Sequence, residues 1–367
     1  MRPSRCRRRL LGLIGVPLLA FVGLAPLTVI AQEAPREGLA VWDFLAALPK
    51  DKRLEVLARE AKREGRFTIY GALGIDRANI LTKLFNEKYP DVKVDFVRLT
   101  EPEVVDKVLL EHRTGRVNSD LALSSVPWMG LLPEGLAPYE PTSWDDFDRR
   151  FKLGSKKDGW TAVVYELLPS TIAWRTDRVK KEEAPRSLKE MADPKWAGRA
   201  GGTTHLENLM HGLITAMGEQ PAMELVRKLA ALKPHLYRST AALSQGLAAG
   251  EFDICYDFSA HRPALLKQQG APVDFVFQDP LFGVGITYSV VKGAKNPYAA
   301  ALFIDYLTQA QPLEQLDKAE GGRFFGHTKG TFTNKLSDYP QLTLYTPIPA
   351  ARFTELNRLA EDLFIRR

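Results

Sequence analysis

Cysteine is almost missing from this chain: Cys6 and Cys255 are the only two in 367 residues. Cys6 lies inside a candidate export leader, so a processed chain keeps Cys255 alone and no intramolecular disulfide can form. An exported domain of this size buries enough core to do without one. No CxxC pair exists, which removes a dithiol redox motif. The six histidines form no HExxH and no His-x-His, so the familiar zinc signatures are absent. There is no GxSxG nucleophile turn, and Gly283 and Gly285 lack the rest of a dinucleotide fingerprint. No lysine sits in a glycine loop suited to phosphate chains. Nothing calls for a cofactor. Tandem repeats and low-complexity tracts are also missing, and beyond residue 31 no apolar run is long enough to span a bilayer.

An excess of charge disappears once the leader is set aside. The chain carries 50 Lys and Arg against 44 Asp and Glu, a net +6. Arg2, Arg5, Arg7, Arg8 and Arg9 lie within the first 31 residues, which hold no acid, so the remainder balances at 45 against 44. A nucleic-acid partner, which calls for a basic face, is not expected.

What is present starts with that leader. The arginines form a positive n-region, and 21 residues from Leu10 to Ile30 form an apolar run. Val29 and Ala31 place small residues where a signal peptidase cuts, after Ala31. The expected compartment is the periplasm. If uncut, the run is long enough to act as an anchor. The adjacent arginines followed by Leu10 and Leu11 match the twin-arginine signal loosely.

Behind the leader, 336 residues remain, a length suited to about two domains. Asp51 is placed to cap a helix running to Glu64, with Leu54, Leu57, Ala58 and Ala61 on one face. A strand over Phe67–Tyr70, a helix over Asp76–Lys88 and a strand over Val92–Val97 follow. Thr100 and Glu103 form a capping box, and Gly115 ends the helix they open. Asp120–Leu123 is the next strand. Such alternation predicts an α/β fold, with mixed, mostly parallel sheets covered on both faces.

Trp160–Glu166 and Ser170–Trp174 read as two strands suited to crossing between lobes. Thr204 and Glu207 suggest a second capping box, for a helix to Met217. Pro221 fits the first turn of the following helix. Thr240 is placed to cap a helix that Gly250 ends. Strands over Phe252–Tyr256 and Val273–Phe277 enclose a helix near Ala260–Gln269. Gly283–Val291 reads as a return strand, and Asn296 with Pro297 opens a helix. Arg352–Phe364 is helical in pattern, while the rest of the tail from Thr331 carries no clear assignment. The expected division is residues 32–168 in one lobe, 169–282 in a second, and 283–367 returning to the first.

Several segments together resemble a known family: "AKREGRFTIYGAL" (Ala61–Leu73), "NSDLALSS" (Asn118–Ser125), "SLKEMADPKWAGRAG" (Ser187–Gly201), "LAAGEFDI" (Leu247–Ile254) and "KGAKNPYAAALFIDYL" (Lys292–Leu307). In order and spacing they are similar to periplasmic solute-binding proteins of the type 2 fold, in the branch with the ferric-iron binders. The resemblance spans roughly residues 50–330. It implies two Rossmann-like α/β lobes joined by crossing strands, a small-molecule ligand held between them, hinge closure, and delivery to the permease of an ABC transporter in the inner membrane by a monomeric receptor.

Ligands of open α/β sheets lie beyond the carboxyl ends of the strands. The loops there hold Gly71 and Leu73, Ser124 and Ser125, Thr203 and Thr204, and Asp257 to Ser259. Helices starting at Thr204 and Thr240 would offer free N–H groups to an anion. The resemblance matches the family's anion-holding positions to Thr203, Thr204, His205 and Thr240. It matches the tyrosine pair of the iron binders to Ala260 and His261, and their carboxylate to Ser125. Ferric iron needs anionic oxygen, and His261 alone supplies none. The expected cargo is therefore a small polar or anionic organic molecule, with ferric iron plus a synergistic anion as the alternative. Asp257 would meet a cationic group of the same ligand, and Trp128 or Tyr288 its apolar part. Cys255 reads as a buried small hydrophobe; Asp253 and Asp257 flank it and oppose a thiolate, so an enzyme is not expected. A ligand-sensing partner of a signalling receptor would share the same binding chemistry.

Overall fold

The computed structural model describes residues 34–319 and 321–366. The expected leader and its expected cleavage point lie outside them. Helices α1 (Leu39–Ala47) and α2 (Lys50–Glu64) precede β1 (Arg66–Gly71), α3 (Ile75–Lys88), β2 (Lys93–Arg98), α4 (Glu101–Thr114) and β3 (Leu121–Ser125). Strand β1 pairs in parallel with both β2 and β3. The capping box forms as expected: the Glu103 carboxylate accepts from the Thr100 N–H at 2.7 Å. Gly115 ends α4 at φ 66°, a left-handed conformation that favours glycine. Asp51 does not cap α2. Pro49 occupies that position and Asp51 falls in the first turn, where its charge suits the helix dipole.

After α5 (Val126–Met129) and β4 (Lys152–Ser155), the two expected crossing strands are one: β5 (Trp160–Arg175), 16 residues long. Pro169 does not break it because β5 changes neighbours there. Its residues up to Pro169 pair with β10 (Phe282–Val290), and those from Ser170 pair with β8 (Ile254–Ser259) and β9 (Val273–Phe277). The missing proline N–H falls at this change, where it breaks no ladder, and the Pro169 carbonyl accepts from the Ala260 N–H at 2.9 Å.

Between β5 and β8 run α6 (Leu188–Met191), β6 (Ala200–Thr203), α7 (Leu206–Met217), α8 (Glu219–Ala231), β7 (His235–Tyr237) and α9 (Thr240–Ala249). Helix α10 (His261–Gln268) separates β8 from β9. Strand β6 lies parallel to β7 and β8. Strand β10 then returns antiparallel between β3 and β5. The sheet order is β2-β1-β3-β10-β5-β8-β6-β7, so β10 and β5 join a first half to a second. Helices α11 (Pro297–Leu307), α12 (Ala310–Ala319) and α13 (Ala350–Ala360), with the short β11 (Thr343–Leu344) beside β10, complete the chain. Helix α11 is apolar nearly all round, and each of its residues is buried.

Two further caps differ from expectation. Thr204 makes no box with Glu207: its N–H donates to Tyr237 O at 2.9 Å, extending the β6–β7 ladder, and His205 takes the N-cap position. Ser239, one residue before Thr240, caps α9 by accepting the Ala242 N–H at 3.1 Å. Gly250 ends α9 as expected. Cys255 is fully buried among Leu243, Leu247 and Phe258. Burial pushes its thiol pKa up. Neither Asp253 nor Asp257 contributes to that rise, contrary to expectation; Asp253 pairs with Arg199 at 2.7 Å and Arg178 at 3.0 Å.

Candidate functional site

Side chains from both halves of the sheet enclose a cavity of about 160 Å³ where β5 and β10 cross. The first half supplies Glu101, Ser125 and Trp128. The second supplies Ser170, Thr203, His205, Asn208, Thr240, Asp257 and Ser259. Leu168, Val284 and Ile286 of the crossing strands form an apolar floor, and Tyr345 enters from beyond β11. The volume is below the ~300–1,000 Å³ typical of sites for drug-sized ligands.

Glu101 is the first residue of α4, and the end of β3 holds it in place. Its carboxylate accepts from the Ser124 hydroxyl and from the Ser125 N–H at 3.1 Å. Burial raises its pKa, against the pull of those donors. Asp257 sits at φ 51°, in the left-handed region that non-glycine residues seldom occupy. The β5–β8 register shifts beside it, between Thr171 and Ala173, and such bulges re-aim side chains. Its Oδ1 accepts from Ser170 Oγ at 2.6 Å and lies 3.5 Å from the Tyr345 hydroxyl. Its N–H donates to Gln278 Oε1 at 3.1 Å. Burial pushes the Asp257 carboxyl up to about 6, with the Ser170 bond and His205 opposing.

His205 is the one cation-capable side chain in the lining. Its Nδ1 lies 3.7 Å from Glu207 Oε1. That contact raises its pKa, burial lowers it, and the charges of Glu101 and Asp257 add to the rise. Asn208 Oδ1 is buried and meets no hydrogen-bond partner among the described residues. Trp128 packs edge-on against Phe353, centroids 4.4 Å apart, and Tyr345 lies against Phe282. Among the described residues, no three His, Cys, Asp or Glu side chains are grouped to hold a metal.

Of the residues expected at the site, Ser125, Thr203, His205, Thr240 and Asp257 line the cavity. Ser124 lies behind it, fully buried, and positions Glu101. Thr204, Leu73 and Gly71 stand outside the lining; a Cβ at Gly71 would meet the Phe96 ring at 2.8 Å. His261 is also outside it. Its Nδ1 is buried without a partner among the described residues, and burial lowers its pKa, helped by Arg323, Arg262 and Arg77. Tyr288 is core, with its ring 5.0 Å from Tyr165 and 5.3 Å from Phe303 by centroids, and it does not reach the cavity.

Sequence reasoning missed the polar lining residues Glu101, Ser170, Asn208 and Tyr345. Glu101 carried a signal, since an acid at the first position of a helix next to a strand-end loop points toward the same cleft. Tyr345 carried none, because its tail shows no periodicity.

A family model for bacterial extracellular solute-binding proteins matches residues 81–343. No curated protein sequence matches the chain. Among solved structures, the periplasmic binding protein AfuA of Actinobacillus pleuropneumoniae, with exogenous fructose-6-phosphate bound, is 20% identical at a TM-score of 0.70, over 83% of this chain and 99% of that one. Iron-bound HitA of Pseudomonas aeruginosa is 17% identical at 0.68, over 80% and 99%. Trichodesmium IdiA (FutA), with iron and citrate, is 16% identical at 0.62, over 82% and 99%. At these identities the likeness is one of fold.

Proposed function

Because this chain belongs to the bacterial extracellular solute-binding proteins and has the type 2 periplasmic-binding fold, we propose that it is the solute-capturing component of an ABC import system. It works in the periplasm as a monomer, without catalysis and without nucleic acid. Residues 32–168 and the return from 283 make one lobe and 169–282 the other, while α13 sets Leu356 and Ala360 into the core of the second. One observation carries the reading: the cavity takes polar side chains from both halves of the sheet, which only β5 and β10 join as continuous strands.

That arrangement suits closure by bending at the crossing strands. An open cleft admits the solute, and side chains from both lobes then meet it together. The solute stabilises the closed form only by its differential affinity for it, and a membrane permease reads that form. The ligand is a small polar molecule, judged by the cavity volume and by hydroxyls above an apolar floor. Ferric iron suits the site poorly. Ala260 and His261 stand where the resemblance puts the tyrosine pair, and neither supplies the anionic oxygen that ferric iron needs.

The test is thermal unfolding of the purified protein across a library of amines, amino acids, carboxylates, phosphonates, sugar phosphates, and ferric iron with and without citrate. A solute at a hundredfold excess over its Kd adds about 2.7 kcal/mol to stability. A melting temperature unmoved by every compound would sink the proposal, and a shift with iron alone would restore the iron reading.

A further inference from the structure

The cavity is rich in hydrogen-bond acceptors and poor in positive charge. Two carboxylates face it from opposite halves of the sheet, Glu101 at the start of α4 and Asp257 at the end of β8. Among the described residues neither makes a salt bridge to Lys or Arg: hydroxyls and backbone N–H groups are their hydrogen-bond donors. Among the described residues no lysine or arginine lines the cavity, and His205 is already drawn to Glu207. Asn208 adds a buried amide oxygen with no donor among the described residues. The aromatic side chains of Trp128 and Tyr345 line the same space.

We propose that the captured solute carries a cationic nitrogen with N–H donors, an ammonium or guanidinium group, seated between Glu101 and Asp257 with Asn208 Oδ1 as a further acceptor. This rests on the solute-binding reading above and names its ligand class. Enclosed carboxylates without a cation are costly, and a cationic ligand removes that cost on binding. An anion in the same place would face two like charges, a penalty large enough to decide specificity. Aromatic faces are compatible with the same cation. The carboxylates belong to different halves, so a cation bridging them favours the closed form over the open one. A ligand with an acidic group as well can place it away from the carboxylates, toward Thr203 and Thr240.

The experiment is calorimetric titration of the purified full chain with matched probes: ethanolamine and putrescine as cations, ethylene glycol and 1,4-butanediol as neutral counterparts, β-alanine as zwitterion, and propionate and inorganic phosphate as anions. The expected result is binding of an ammonium or zwitterionic probe and none of the matched diol or anion. Glu101→Gln and Asp257→Asn should each weaken the bound probe roughly ten- to hundredfold, since bonds to charged groups contribute about 1.5–3 kcal/mol. Two variants on opposite halves guard against one failing to fold. Binding of anions or diols only, or ammonium affinity unchanged in both variants, would overturn the inference while leaving solute capture intact. Silence from every probe, together with a flat thermal screen, would overturn both.

Discussion

Two acidic sites in this molecule meet burial in opposite ways. Glu166, on β5, is 2% exposed and lies between Arg77 and Arg323, with the Tyr165 hydroxyl donating at 2.8 Å. Burial pushes its pKa up, but the two arginines outweigh that and hold it below the usual carboxylate range. Asp257, less deeply buried, has only hydroxyl and imidazole neighbours of favourable sign, and its carboxyl rises to about 6. The difference lies in the partner, not in the depth. A charge that must hold structure is matched within the chain; a charge that is left unmatched at a cleft is available to something from outside.

The largest effect that would break this contrast is at the matched site. Glu166→Ala removes one carboxylate partner shared by two buried arginines, and the expected cost is up to about 3–5 kcal/mol of stability, seen as a lower denaturation midpoint in urea. A loss below about 1 kcal/mol would show that Glu166 is not essential to its network.

At the unmatched site the sign reverses. Asp257 has a folded pKa of about 6 against an ordinary 3.8. Between those values the folded chain binds a proton that the unfolded chain does not, so the contribution of Asp257 to ligand-free stability is fully present below about pH 4 and is lost as pH rises through about 6. Asp257→Asn should remove that part of the slope and raise the ligand-free midpoint at pH 7, while abolishing most ligand affinity. Melting curves from pH 4 to 7 on both proteins would show it, and parallel slopes would refute it.

Smaller effects sharpen the picture. Ser239→Ala should cost about 0.5–2 kcal/mol through loss of the α9 cap, whereas Thr240→Ala should leave stability nearly unchanged and act only on binding. Equal losses from both would mean that the cap is shared. Tyr345→Phe is the mildest change: its hydroxyl is a long 3.5 Å from Asp257. It should lower affinity less than about fivefold, a loss within ~1 kcal/mol, and a larger drop in calorimetry would place the hydroxyl directly on the ligand.

How much of this was legible depends on how local the cause was. The Thr100–Glu103 box was readable because both partners lie within one helical turn. The same pattern at Thr204 and Glu207 failed because the β6–β7 ladder claimed the Thr204 N–H first. Pro169 looked like a boundary in sequence, yet it sits inside β5, since no strand periodicity announces where one neighbour ends and the next begins. Among the site residues, those at strand ends were foreseeable from topology. Tyr345, delivered by a tail without periodic pattern, was not.

The sequence alone determined the alternation of strands and helices, the near balance of charge beyond residue 31 and the loops from which a cleft could be built, because each follows from residue type and spacing along the chain. Only the tertiary structure decided that Glu101 and Asp257 face one cavity with no lysine or arginine in its lining, while Glu166 is met by two arginines. The reason is that charge matching is a property of neighbours in space. It depends on strand register, on the bulge beside Asp257 and on where β10 returns, none of which is written within the reach of any local pattern.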